Sequence, residues 1–158
     1  MGVPDLIPIR REPGYHTRMA GRWRRGQFFG YVARIRQGLS EDDAVLERVY
    51  AVLHEFDPAG KYIDTTIEAA GETFRGPQAQ VVVAKAEQLL NEWVESLPDR
   101  EFGDIAISPF TEMHDGVLFG LVVECHGEYP EGEEVDDWVE FYPIRLGFGW
   151  PWDGSYST

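Results

Sequence analysis

Between Gly76 and Leu97 the apolar residues Val82, Ala86, Leu89, Leu90, Trp93 and Leu97 recur three and four apart, while Gln80, Lys85, Glu87, Asn91 and Glu95 fall mostly on the other side. This periodicity predicts an amphipathic helix with marked ends: Pro77 suits a first helical position, and Pro98 stands where a helix cannot continue. About twenty residues at 1.5 Å each make a rod of roughly 30 Å with one apolar face. That face needs a partner surface, and the flanking chain offers mainly runs of period two. The expected partner is a sheet built from strands before and after the helix, with Leu89 and Trp93 packed against Val122 and its strand neighbours.

The first of these runs is Gln27–Arg36, where Phe28, Gly30, Val32 and Arg34 alternate with Phe29, Tyr31, Ala33 and Ile35. Neither set is strictly polar, so the strand is expected to be central or covered on both sides. Ser40-Glu41-Asp42-Asp43 reads as a helix start, with a short helix spent by about Arg48. Val49–Phe56 and Lys61–Ala69 flank Asp57-Pro58-Ala59-Gly60 and predict a β-hairpin, although Val45, Val49, Val52 and Phe56 also fit a helical face. Beyond the long helix, Phe102–Phe110 predicts a strand, Glu112–Gly116 a turn containing the hairpin dipeptide Asp-Gly, and Val117–Cys125 a return strand at the sheet centre. Gly127–Asp137 reads as a loop and Trp138–Tyr142 as a final short strand. The fold class expected is α+β, a mostly antiparallel sheet with one long amphipathic helix on one face.

Prolines and glycines among arginines make residues 1–25 an extended basic arm on the surface, and residues 143–158 an aromatic tail. The 158 residues, 43% of them hydrophobic, suffice for a single domain with a true core. No apolar run approaches membrane-spanning length and no signal peptide is evident, which predicts a soluble, cytoplasmic protein. Cys125 is the only cysteine, so no internal disulfide and no cysteine-based zinc cage is available.

Charge is divided along the chain. Residues 1–36 hold eight arginines against Asp5 and Glu12, a balance of +6, whereas residues 37–158 carry −20, for a net −14. An acidic body of this size repels nucleic-acid phosphate and favours either a basic protein partner or plain solubility. Within it Glu128, Glu131, Glu133, Glu134, Asp136 and Asp137 crowd one loop without the Asp-x-Asp-x-Asp-Gly spacing of a calcium site. This loop and the tryptophans beside it, Trp138, Trp150 and Trp152, form the candidate partner-binding surface: aromatic anchors for affinity and charge for steering.

Catalytic and cofactor signatures are missing. No glycine-rich phosphate loop and no Gly-x-Ser-x-Gly elbow occurs. Cys125 and His126 are adjacent on a strand and point to opposite faces, so they cannot act as a dyad. No two of His16, His54, His114 and His126 have the spacing that sets metal ligands side by side. His54, close to Glu55 and Asp57, reads as a hydrogen-bonded structural histidine. No catalytic, cofactor or metal residues are therefore assigned.

Gly26-Gln27-Phe28-Phe29, Tyr50-Ala-Val-Leu-His54-Glu-Phe-Asp57, Asp104-Ile-Ala-Ile107, Gly116-Val-Leu-Phe-Gly-Leu-Val122, Tyr142-Pro143 and Pro151-Trp152-Asp153-Gly154 together resemble a family of small actinobacterial proteins often labelled formate hydrogenlyase regulatory protein HycA. The resemblance spans most of the chain and implies a regulatory role. It carries over no site residues, because these motifs form the fold. The expectation is a non-enzymatic regulator or inhibitor acting through protein contacts. Three alternatives stand beside it: a DNA-binding regulator using the arginine arm, with Arg22-Trp23-Arg24-Arg25 as its one mixed basic and aromatic patch; an immunity-type protein that neutralises a basic toxin; and a small enzyme whose site is assembled from distant strands.

Overall fold

In the computed structural model, which describes residues 2–39, 44–124 and 137–156, the chain runs through β1 (Ile7–Ile9), β2 (Met19–Trp23), β3 (Gly26–Leu39), β4 (Val45–Phe56), β5 (Tyr62–Phe74), α1 (Ala79–Glu95), β6 (Glu101–Phe102), β7 (Ile105–Ile107), β8 (Phe110–His114), β9 (Val117–Glu124), β10 (Trp138–Tyr142) and β11 (Leu146–Phe148). All pairings are antiparallel. They form a five-stranded sheet of order β5-β4-β3-β2-β6, a four-stranded sheet of order β11-β10-β9-β8, and a ribbon of β1 with β7.

Alternation along β3 and β4 sets the layers. Phe28, Val49, Ala51 and Leu53 face α1, whereas Phe29, Tyr31, Ala33, Tyr50, Val52 and Phe56 face Phe119, Leu121, Val139, Phe141 and Leu146 of the second sheet. Both faces of the central strands are thus apolar because both are covered, and the molecule stacks helix, sheet and sheet. The ribbon closes one margin of the inter-sheet core with Ile7, Ile9, Ile105 and Ile107.

The helix keeps its expected apolar face but is shorter than its signature: it runs 17 residues from Ala79 to Glu95, and Pro77 lies in the turn before it rather than at its first position. Ala86, Leu90 and Val94 are buried on β3, β4 and β5, and no side chain caps the N-terminus, so tertiary packing holds it in place. Gly30 allows the close approach: a Cβ there would lie 2.6 Å from Leu90 Cδ1. Leu89 and Trp93 flank this contact half-buried, and their neighbours belong to the five-stranded sheet. The expected packing on Val122 is therefore corrected. Val122 lies on β9 in the other sheet, and the helix covers the opposite face of the five-stranded one.

Four further expectations are revised. The N-terminal arm is not a surface strap: it supplies β1 and β2, and Ile7, Ile9, Met19 and Ala20 are buried. Pro8 is tolerated because its strand pairs on one side only. Of the helix expected from Ser40 to Arg48, residues 40–43 lie outside the described residues and Val45–Arg48 are strand. There β3 and β5 pair with β4 on both sides, and buried Glu47 receives Arg34 at 2.7 Å and Arg75 at 3.3 Å. The single strand over Phe102–Phe110 is three short pieces that carry the chain from one sheet through the ribbon to the other. Finally, Glu112–His114 extend β8, leaving Asp115 (φ 51°) and Gly116 (φ 75°) as a two-residue hairpin turn of the type that needs positive φ at both positions. The Asp57–Gly60 hairpin forms as expected, with Gly60 N donating to Asp57 O at 2.9 Å.

Candidate functional site

Cross-strand partners share a face, and on the β10–β11 hairpin Val139 pairs with Phe148 and Phe141 with Leu146, all four turned into the core. The outward set holds Trp138 and Glu140, with Gly147 opposite Glu140. Gly147 and Gly149 have no side chains to fill the space beside Trp138, and the turn closed by Trp152 N donating to Gly149 O at 2.8 Å brings the following chain back over it. The result is a cleft of about 240 Å³ walled by Trp138, Trp150 and Tyr156 and floored by Phe148 and the two glycines.

Trp150 is 61% exposed. Trp138 is half-buried and donates Nε1–H to Glu140 Oε1 at 3.1 Å, and the other oxygen of Glu140 lies 2.7 Å from Arg145 Nε. The Arg145 guanidinium in turn sits 4.5 Å from the Tyr142 ring centroid. Ser155, at the cleft edge, donates its amide and hydroxyl to Asp153 Oδ1 at 2.9 and 2.5 Å, and these bonds pull the Asp153 carboxyl below its ordinary range. Asp137 is half-buried beside Trp138.

Of the residues expected to bind a partner, Trp138 and Trp150 thus come together in the cleft, and Asp137 precedes Trp138 in the chain without lining it. Trp152 does not join them: it is half-buried against the inter-sheet core. Glu128, Glu131, Glu133, Glu134 and Asp136 lie outside the described residues, as do Cys125 and His126.

A second constellation is buried. His54 is fully enclosed, with Nε2 2.8 Å from the Tyr31 hydroxyl and Nδ1 2.7 Å from Thr65 Oγ1. Tyr31 reaches the Tyr142 carbonyl at 3.1 Å, and Thr65 is 2.7 Å from the Tyr62 hydroxyl, which lies 3.3 Å from Glu112 Oε2. Burial lowers His54 to about 3 and raises Tyr31 well above its ordinary value. The imidazole is therefore neutral at physiological pH and acts as a structural link, walled by Phe110 and Phe141. Sequence reading found His54 but not its partners, since only the register that sets Phe29 opposite His54 and Tyr31 opposite Val52 places Tyr31 on its diagonal. Among the described residues no three His, Cys, Asp or Glu side chains gather as a metal would require.

This chain matches no protein-family model, no curated protein and no solved structure. The resemblance to the regulatory family rests on its sequence motifs alone. No helix among the described residues is long and apolar enough to cross a membrane.

Proposed function

We propose that this chain is a single-domain, non-enzymatic binding protein of the cytoplasm that regulates or inhibits a basic protein partner by seating a cationic side chain in the C-terminal aromatic cleft. The observation that carries this reading is the open Trp138–Trp150–Tyr156 cleft with a 61% exposed tryptophan at its mouth and carboxylates beside it. An arginine or lysine over an indole face gains about 0.5–1 kcal/mol when exposed and about 2 when desolvated. The surrounding field favours the same occupant, because the chain carries −14 overall. The regulatory family that the sequence resembles is in keeping with such a role.

The test is a titration of the full chain with an arginine- and lysine-rich peptide, and with an acidic peptide of equal length, followed by tryptophan fluorescence and calorimetry. Saturable binding of the basic peptide alone is expected, weakened by salt and reduced at least several-fold in Trp150→Ala, with the melting temperature unchanged because Trp150 stands in solvent. Equal binding by Trp150→Ala, or no preference for the basic peptide, would overturn the reading.

A further inference from the structure

A second cavity lies beside the start of β2 at Met19, where β3 runs on past Tyr31 without β2 as a partner. It measures about 260 Å³ and opens between the turn around Tyr15, His16 and Arg18 and the helix at Glu87 and Leu90, with Tyr31 among its lining. The turn is braced before any ligand arrives. Tyr15 N donates to Glu12 O and Arg18 N to Tyr15 O, both at 3.1 Å, Glu12 N donates to the buried Thr17 hydroxyl at 2.9 Å, and Arg11 Nε holds the Arg18 carbonyl at 2.9 Å.

Two charges of opposite sign line this cavity, Arg18 from the turn and Glu87 from the helix. They form no ion pair with each other, and among the described residues neither side chain has an ion-pair or hydrogen-bonding partner. The contrast is with Arg24, Arg34, Arg48, Arg75 and Arg145, each of which meets a carboxylate within 3.3 Å. A cation and an anion held apart across a small, preformed space complement a ligand that carries both charges, also held apart. We propose that this cavity binds a zwitterionic small molecule of the α-amino-acid class: Arg18 takes the carboxylate through its planar fork, Glu87 takes the ammonium, and an apolar substituent rests on Leu90 and Met19. The volume fits that class, since it falls just below the ~300 Å³ at which sites for larger drug-sized ligands begin.

The site shares no lining residue with the aromatic cleft, although His16 of the one packs edge-on against Tyr156 of the other, so the two readings are tested by different substitutions. Calorimetry on the full chain with L-leucine and L-phenylalanine as probes, alongside N-acetyl-L-leucine and L-leucinamide, tests it. Binding of a free amino acid is expected, with each singly charged analogue weaker by about tenfold or more, as for loss of one charge-assisted hydrogen bond. Arg18→Gln and Glu87→Gln should each produce a loss of similar size, and both variants should melt as the wild type does, since neither side chain has a partner to lose. Trp150→Ala should bind the amino acid normally. No heat and no amide chemical-shift change at Arg18 or Leu90 at several times about 1 mM, the weak end of small-ligand affinity, would overturn the proposal. So would binding indifferent to acetylation, amidation or the two substitutions.

Discussion

The chain of hydrogen bonds through His54 is one hydrogen short of its links. Five links join the Tyr142 carbonyl, Tyr31, His54, Thr65, Tyr62 and Glu112, but with a neutral imidazole only four hydrogens are available to fill them. Tyr31 donates to the Tyr142 carbonyl and Tyr62 to Glu112, which leaves the ring N–H and the Thr65 hydroxyl to serve the three contacts between them. Because burial puts its folded value at about 3, against 6.5 unperturbed, the unfolded chain binds the extra proton first. The contribution of His54 is complete above about pH 6.5 and is lost as pH falls from there toward about 3, at a limiting slope of ~1.4 kcal/mol per pH unit. His54→Gln should be less stable than wild type near pH 7, by about 1–3 kcal/mol for the polar groups left unpaired, and the gap should narrow toward about pH 4 in urea unfolding. A gap independent of pH would mean that the imidazole does not titrate on unfolding. The sequence made His54 legible as a hydrogen-bonded histidine, while Tyr31 and Thr65 were hidden because only sheet register brings them to it.

The helix was legible because both of its signals are local: an apolar stripe three and four apart, and prolines at each end. Its bearing was not. A period-two strand with apolar residues on both faces shows that both are covered without showing by what, so the helix was assigned to Val122 when it lies on Gly30, Val49 and Leu53. Two substitutions separate these arrangements. Gly30→Ala sets a methyl 2.6 Å from Leu90 Cδ1 and should cost about 1–3 kcal/mol as overpacking. Combined with Leu90→Val it should cost less than the sum of the two single changes, which a double-mutant cycle of urea unfolding measures. Trp93→Ala should cost less than the ~3–5 kcal/mol typical of a fully enclosed tryptophan, because one side of the ring faces water. Strands β1 and β2 escaped notice for a related reason: Pro4, Pro8, Pro13 and six arginines mask Ile7, Ile9, Met19 and Ala20, which carry the burial.

Across the whole molecule the division of charge reads differently once the arm is seen to be built in. Arg10 donates to the Asp153 carbonyl, Arg11 lies 4.8 Å from the Phe102 ring centroid and Arg24 pairs with Asp99. These cations are spent holding the N-terminal segment against an acidic body. Duplex DNA should accordingly show no binding in fluorescence anisotropy at physiological salt, where the Debye length is about 8 Å and the net −14 dominates. A salt-dependent complex of submicromolar affinity would restore the DNA-binding alternative. The cleft was half-legible at this scale: the tryptophans and acids stood out in sequence, but which of them meet depends on the β10–β11 pairing and on the turn that follows it.

The pairing of β1 with β7, Ile7 opposite Ile107, also bears on the order in which the molecule can be assembled. A ribosome makes β1 first, yet its strand partner is almost the last of the chain's first two thirds to emerge, and Arg10 waits longer still for the Gly154 carbonyl. Ile7 and Ile9 therefore travel as exposed, partnerless apolar residues through most of synthesis, while the β3–β4–β5 meander and its helix can already close behind them. Pro8 between those isoleucines, and the arginines that follow, discourage the exposed stretch from pairing with another chain in the interval.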